Sequence, residues 1–334
     1  MNRKLLQWGG IILIAIAALF LFEFFVPKSL FSKPQYTVFS VTKGESEQDI
    51  IDALSKQKLI RSPLFFKLYV AATDNRKKLQ AGNYRLTNHM NTAKIATAIA
   101  TGQSMKEYFT VIEGWKLTDI AHELEKRNIV SAKDFLAAAN KDWTQDFPLL
   151  KTTGKKKGLE GFLFPDTYEV SPGKEPDHLI ESALANFEKK LSPELQREIA
   201  TQKKTNFQIL VMASILEKEA NNMADKKIIA GILWKRIAAG MPLQADATVN
   251  YVTGKSDAKA ASADTSINSP YNTYKYYGLP PGPISNPGLE SILAAIRPVA
   301  SSYWYYLAAD GTGKTIFSAT FAEHQAAMRK YFGS

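Results

Sequence analysis

Two glutamates, Glu217 and Glu219, close a run that reads FQILVMASILEKEA over residues 207–220 and is otherwise apolar around most of a helix. Positions 217 and 219 differ by about 200° around a helix axis, so only one of the two can enter a given cleft. Glu219 continues a stripe made by Met212, Ile215 and Leu216, whereas Glu217 follows Leu210, Ala213 and Ser214. Glu219 is thus expected on the more apolar face, with Glu217 pointing away from any cleft. A carboxyl held against apolar surface has its charged form disfavoured. It then stays protonated near neutral pH and can serve as a general acid, the requirement of glycosidic bond cleavage. Charges at a helix end more commonly just meet solvent, and this stretch alone favours that reading over the catalytic one.

Other residue types that suit such chemistry cluster downstream. QADATVNY (residues 244–251) and SPYNTY (residues 269–274) supply Gln244, Asp246, Thr248, Tyr271, Asn272, Thr273 and Tyr274. Flat aromatic surface beside amide and hydroxyl groups is what a sugar-binding cleft uses. The same side chains also fix long loops through bonds to their own backbone, so each has two readings. Of these, Gln244, Asn272 and Tyr274 are the strongest substrate-binding candidates. A hydrolase would need a second carboxylate at a defined separation, for which Glu160, Asp166 and Asp246 are candidates.

Several alternatives are excluded or weakened. DGTGKT (residues 310–315) lacks the leading glycine of a phosphate-binding loop, having Ala308 there, and is flanked by alternating YWYYLAA and TIFSAT rather than by a helix. Its glycines suit a hairpin turn, and Thr320 with Glu323 then forms a capping box for a terminal helix. The four histidines stand apart without an i, i+4 pair, and there is no cysteine, so no metal site and no cofactor is expected. No G-x-S-x-G occurs; scattered triads remain compatible with that.

The elements that must position these residues follow from periodicity. Helices are expected at 177–191, 193–202, 206–220 and 223–239, the last stopped by Gly240. Past Gly240 the texture turns irregular, and residues 266–288, rich in proline and tyrosine, read as an ordered functional loop. Residues 41–66 and 111–136 match at a constant offset: Val41, Gly44, Asp49, Ile50, Leu54, Ile60 and Phe65 recur as Val111, Gly114, Asp119, Ile120, Leu124, Val130 and Phe135. Each copy predicts a strand, a glycine turn, an amphipathic helix and a second helix opened by Ser62 or Ser131. Between the copies a strand is expected at 83–86 and a helix at 92–100.

Before all of this, residues 5–26 form an apolar run that as a helix spans roughly 33 Å, the thickness of a bilayer's hydrocarbon. The following FFVPKSLFSK offers no small-residue cleavage site, so an uncleaved single-pass anchor is expected. Arg3 and Lys4 favour a cytoplasmic N-terminus and an exported remainder. The net charge of +10 suits anionic lipid or an acidic polymer. Lys155, Lys156 and Lys157 are the candidate contacts, and export argues against nucleic acid.

GLEGFLFPDTYEV (residues 158–170), MASILEKEA (residues 212–220), MPLQADATVNY (residues 241–251) and SPYNTYKYYGLPPGPISNPG (residues 269–288) together resemble the endolytic murein transglycosylase, or YceG-like, family. The likeness runs from about residue 36 to the C-terminus. It implies an α+β protein built as an anchor over residues 1–27, a small LysM-like subdomain over 36–104 and a larger mixed catalytic domain over 105–334. It implies a lyase that cuts nascent peptidoglycan within the strand, between N-acetylmuramic acid and N-acetylglucosamine, leaving a 1,6-anhydro end and limiting strand length. The second glutamate of the family's EKE motif is catalytic, which falls on Glu219. The expected location is the inner (cytoplasmic) membrane with a periplasmic or extracytoplasmic enzyme domain, beside peptidoglycan synthases such as penicillin-binding proteins. The rival reading is a noncatalytic envelope module that binds glycan or a synthase.

Overall fold

The computed structural model describes residues 8, 22, 26–27, 36–42, 44–73, 79–102, 107–151, 158–170, 176–254, 264–309 and 314–332. Among them are thirteen α-helices and three two-stranded sheets, so the fold is mixed α+β, as expected. No helix among the described residues is long and apolar enough to cross a membrane. The apolar run 5–26 lies almost wholly outside the described residues, and Lys155, Lys156 and Lys157 lie outside them entirely. The chain divides into two compact units, one made mainly of residues 1–108 and the other mainly of residues 109–334.

In the first unit β1 (Tyr36–Val41) pairs antiparallel with β2 (Gly82–Thr87). Alternate residues of both strands, Phe39, Val41, Tyr84 and Leu86, are buried, which is the period-two pattern of a sheet covered on one face. The cover is α1 (Glu47–Lys56), α2 (Pro63–Ala72) and α3 (Thr92–Ala100), through Ile50, Leu54, Phe66, Val70, Ile95 and Ile99. A capping box starts α1: the Asp49 N–H donates to Ser46 Oγ (3.2 Å) and the Ser46 N–H donates to Asp49 Oδ2 (3.3 Å). The strand expected at 83–86 is one residue longer at each end, and the helix at 92–100 is as predicted.

The second copy of the repeated pattern runs through β3 (Glu107–Thr110), α4 (Leu117–Lys126) and α5 (Ala132–Ala139). Both copies place glycine where the turn needs a left-handed backbone, Gly44 at φ +85° and Gly114 at φ +78°. Both also leave the first helix through a left-handed residue, Lys58 (φ 56°) or Asn128 (φ 55°). The recurrence is therefore one of backbone conformation as well as of residue type.

The rest of the second unit contains α6 (Pro148–Lys151), β4 (Thr167–Val170), which pairs with β3, α7 (Asp177–Lys190) and α8 (Pro193–Thr201). Then come α9 (Asn206–Glu219), α10 (Met223–Ala238), α11 (Asp246–Thr253) and α12 (Leu289–Ile296). The chain ends in β5 (Tyr305–Ala309), β6 (Lys314–Ser318) and α13 (Phe321–Phe332). Each of the four helices expected between 177 and 239 ends within a residue of its predicted bounds. Strands β5 and β6 are antiparallel, with Ala309 opposite Lys314, as the hairpin reading requires. The capping box of α13 is present, the Glu323 N–H donating to Thr320 Oγ1 (3.2 Å) and the Thr320 N–H to Glu323 Oε2 (3.3 Å).

Helix α9 is the centre of this unit. Every residue from 209 to 216 is buried, and α8, α10, α11 and α12 pack around it. The segment after α11, expected as a loop lining something, also sends residues 282–288 into the interior. There the Ile284 N–H donates to Ser214 Oγ (3.0 Å) and Ser285 Oγ donates to the Ser214 carbonyl (3.1 Å), so the loop is fastened to α9 itself.

Candidate active site

Glu219 is the last helical residue of α9, and the backbone turns extended at Ala220. Its carboxyl meets three other elements. Tyr306 of β5 donates its hydroxyl to Glu219 Oε2 at 3.0 Å, and the Ala247 N–H in the first turn of α11 donates as well. Asp246 and the Arg236 guanidinium of α10 act on it through space. Burial is the largest influence on its proton affinity, and the neighbouring Asp246 charge adds to it. Together they outweigh the hydrogen bonds and Arg236, raising the carboxyl from 4.5 to about 7. A group so placed is protonated in a substantial fraction of molecules near neutral pH and can release its proton in the same range.

Asp246 opens α11, and Tyr274 donates its hydroxyl to Asp246 Oδ1 at 2.5 Å. Before it, Gln244 is exposed and has φ 52°, a left-handed backbone on a non-glycine residue. That conformation is held by its own N–H donating to the Thr273 carbonyl (3.1 Å) and by the Ala245 N–H donating to Thr273 Oγ1 (3.1 Å). Gln244, Asp246 and Tyr274 thus stand around Glu219 or beside its neighbours. Thr248, Asn272 and Thr273, expected as substrate contacts, do different work. Thr248 Oγ1 donates to the Ala245 carbonyl, and its oxygen lies 2.9 Å from Thr273 Oγ1. Asn272 Nδ2 donates to the carbonyls of Thr265 and Ile267, and its Oδ1 accepts from the Tyr274 N–H. All three are at most 1% exposed, so they hold the loop from inside and have no surface to offer a sugar.

Glu160 lies at the other end of α11. Its two oxygens accept from the Leu117 N–H at the start of α4 (3.2 and 3.3 Å), and Tyr251 donates to it at 3.5 Å. Burial raises this carboxyl too, to about 7. The Tyr251 ring lies 4.9 Å from that of Tyr271, giving an aromatic pair beside Glu160. Asp166 is exposed and accepts from the Thr167 N–H (2.8 Å) and Asn186 Nδ2 (2.9 Å); these bonds hold its carboxyl below the usual range. It is a loop-fixing group. Among the described residues no cluster of three or more His, Cys, Asp or Glu side chains could hold a metal ion.

Glu217 points away from Glu219, as the helix phase predicts, but it does not meet solvent. Its Oε1 pairs with Lys226 Nζ at 3.1 Å, with only 8% and 4% of the two side chains exposed. Its Oε2 accepts from the Gly288 N–H (2.8 Å) and Ser291 Oγ (2.7 Å). It therefore ties α9 to α10 and to the start of α12, and its acceptor oxygens are committed to those ties. Opposite faces do hold the two glutamates, but because α9 is buried all round, both faces are interior.

Residues 39–330 match the model of the YceG-like family. The chain belongs to the YceG-like family. It is 34% identical over 309 residues to a Bacillus subtilis protein named endolytic murein transglycosylase, covering 88% of this chain and 84% of that one. A Streptococcus pneumoniae protein of the same name is 30% identical over 327 residues, covering 90% of this chain and 59% of that longer one. A YceG-like protein of Listeria monocytogenes has a similar crystal structure, with TM-score 0.61 and 32% identity, covering 88% of this chain and all of that one.

For this YceG-like chain, sequence reasoning singled out Glu219, Asp246 and Tyr274 but missed Tyr306 and Arg236. Arg236 did leave a signal: it continues a stripe of Ile229, Ile232 and Leu233 at helical spacing, and a cation in an apolar stripe implies a buried partner. Tyr306 left none, because the alternation YWYYL marks two faces without saying which one meets α9.

Proposed function

We propose that this protein is an endolytic lytic transglycosylase of peptidoglycan, with Glu219 as general acid and then base. The protonated Glu219 carboxyl donates to the glycosidic oxygen, the bond from that oxygen to the muramic acid C1 breaks, and positive charge develops at C1. The carboxylate then removes the proton of the same sugar's 6-hydroxyl while its oxygen closes onto C1. The anhydro ring forms, the carboxyl regains its proton, and no water is consumed. One group performs both transfers only if its proton affinity lies near the working pH. The observation that carries the reading is that the second glutamate of the EKE motif has its carboxyl raised to about 7 and bonds the hydroxyl of a neutral tyrosine, Tyr306, directly. The homologues named endolytic murein transglycosylase support the substrate. Gln244, Asp246, Tyr274 and Glu160 stand as substrate-side groups in this reading.

The proposal includes an anchor at residues 5–26, which by length suits a bilayer, and an extracytoplasmic enzyme working beside the synthases that supply nascent strands. The compact two-strand, two-helix order of β1, α1, α2 and β2 supports a LysM-like reading of the first unit. Mass spectrometry of the products from peptidoglycan incubated with the full-length protein tests the activity. Anhydro-muropeptides are expected, products one water heavier would indicate a hydrolase, and bound but intact strands would indicate a noncatalytic module.

A further inference from the structure

Tyr306 reaches Glu219 from the far end of the chain, and several hydrogen bonds from α10 hold the segment that brings it there. Helix α10 holds the incoming segment by its carbonyls. The Val299 N–H donates to the Lys227 carbonyl (3.0 Å), Lys235 Nζ donates to the carbonyls of Ser301 (3.0 Å) and Tyr303, and Arg236 Nε donates to that of Trp304 (2.9 Å). Gly231 permits this approach: a Cβ built there would lie 2.1 Å from the Val299 oxygen. Arg236 also donates from Nη1 to the Leu243 carbonyl (2.7 Å), just ahead of the turn into α11. One buried cation, 4% exposed, thus ties down both the strand that carries Tyr306 and the segment that leads to Asp246.

We infer that Tyr306 is a positioning residue for Glu219, its hydroxyl fixing the carboxyl's orientation and setting its acid strength against the opposing charge of Asp246. The inference rests on the reading of Glu219 as acid and base. A phenol donating to Oε2 favours the carboxylate over the acid, while a nearby carboxylate disfavours it. The two groups therefore pull the Glu219 proton affinity in opposite directions. The groups facing Glu219 are Tyr306 from β5, Asp246 and the Ala247 N–H from α11, Arg236 from α10, and Tyr274 through its bond to Asp246. His324 of α13 stacks on Tyr305 (5.2 Å between ring centroids) and feels Arg236. Tyr306 is the only one of these whose side-chain hydroxyl bonds the Glu219 carboxyl, so losing that oxygen alone leaves every other tie in place.

The test compares Tyr306→Phe and Asp246→Asn in the full-length protein by the pH dependence of kcat/KM on peptidoglycan strands. It also follows the Glu219 side-chain carboxyl by carbon-13 NMR titration, assigned by its loss in Glu219→Gln. Tyr306→Phe should move the Glu219 titration, and the alkaline limb of the profile, upward by roughly one pH unit, as the loss of a hydrogen bond to a charged group implies. Asp246→Asn should move both downward. A purely structural role for Tyr306 would lower thermal stability without this opposed pair of shifts. An unmoved titration in Tyr306→Phe, or shifts of the same sign in both variants, overturns the inference. If Glu219→Gln keeps wild-type turnover, the catalytic reading fails; the NMR titration still decides whether Tyr306 sets this carboxyl's proton affinity.

Discussion

Glu217 and Glu219 leave the same helix two residues apart into opposite electrostatic surroundings. Glu217 has a lysine ammonium at 3.1 Å and two further donors within 2.8 Å, whereas Glu219 has the Tyr306 hydroxyl at 3.0 Å and a carboxylate nearby. One pairs with a buried lysine and holds three segments together. The other is built to exchange a proton.

Glu219→Gln should therefore fold and lose activity. The amide keeps the shape and can accept from Tyr306, but it cannot donate as an acid or take up a proton as a base, and general acid–base catalysis contributes about 10²–10⁴-fold. Initial rates of anhydro-muropeptide release, with circular dichroism to verify folding, check this. Turnover within about tenfold of wild type would sink the assignment.

Glu217→Gln should fail differently. Removing one member of a buried ion pair leaves the other charge uncompensated, at a cost of about 3–5 kcal/mol. Urea unfolding should show that loss, while the folded fraction keeps most of its turnover. The double variant Glu217→Gln, Lys226→Met should lose less stability than the two single losses summed, because it removes the stranded charge.

The pH dependence of stability should carry the mark of the raised carboxyls. Glu160 and Glu219 both rise from 4.5 to about 7 on folding, so the native state binds their protons more tightly than the unfolded state does. Their contribution is complete below the unfolded value of 4.5 and is lost as pH rises through about 7, up to about 3 kcal/mol for each group. Glu160→Gln should flatten this decline over that interval in urea-unfolding midpoints measured from pH 4 to 8. A decline of unchanged slope would show that Glu160 binds its proton equally well in the folded and unfolded states.

Much of this organisation was legible in the residues themselves, for identifiable reasons. Helices α7 to α10 carry their own boundaries: Pro193 at the start of α8, the Thr205–Gln208 box, Asn222 capping α10, and Gly240 beyond it. Helices α11 and α12 have eight residues each, too short for a 3.6-residue period to declare itself among turn residues. The stripe of Met212, Ile215 and Leu216 points to Glu219, but α9 is buried all round along residues 209–216, so helix phase alone does not distinguish the surroundings of the two glutamates. What distinguishes Glu219 comes from α10, α11 and β5, and what disarms Glu217 comes from Lys226, Gly288 and Ser291. Contacts so distant in sequence have no local pattern. Likewise Asn272 and Thr273 have the residue types of a sugar site, and only their burial shows them turned inward.

Gly231→Ala offers the most direct check that α10 positions the hairpin. Its Cβ would meet the Val299 backbone oxygen rather than the end of a flexible side chain, so the 299–304 segment must shift or the helix must move. Overpacking of this kind costs about 1–3 kcal/mol, which should leave the protein folded at 25 °C but with a lower melting temperature. The displaced segment is the one whose carbonyls Lys235 and Arg236 hold, and it leads within two residues from Trp304 to Tyr306. The substitution should therefore reproduce the Tyr306→Phe signature, an upward move of the alkaline limb, although it touches neither Tyr306 nor Glu219. A stability loss with the limb in its wild-type place would mean that β5 keeps Tyr306 in position without help from α10.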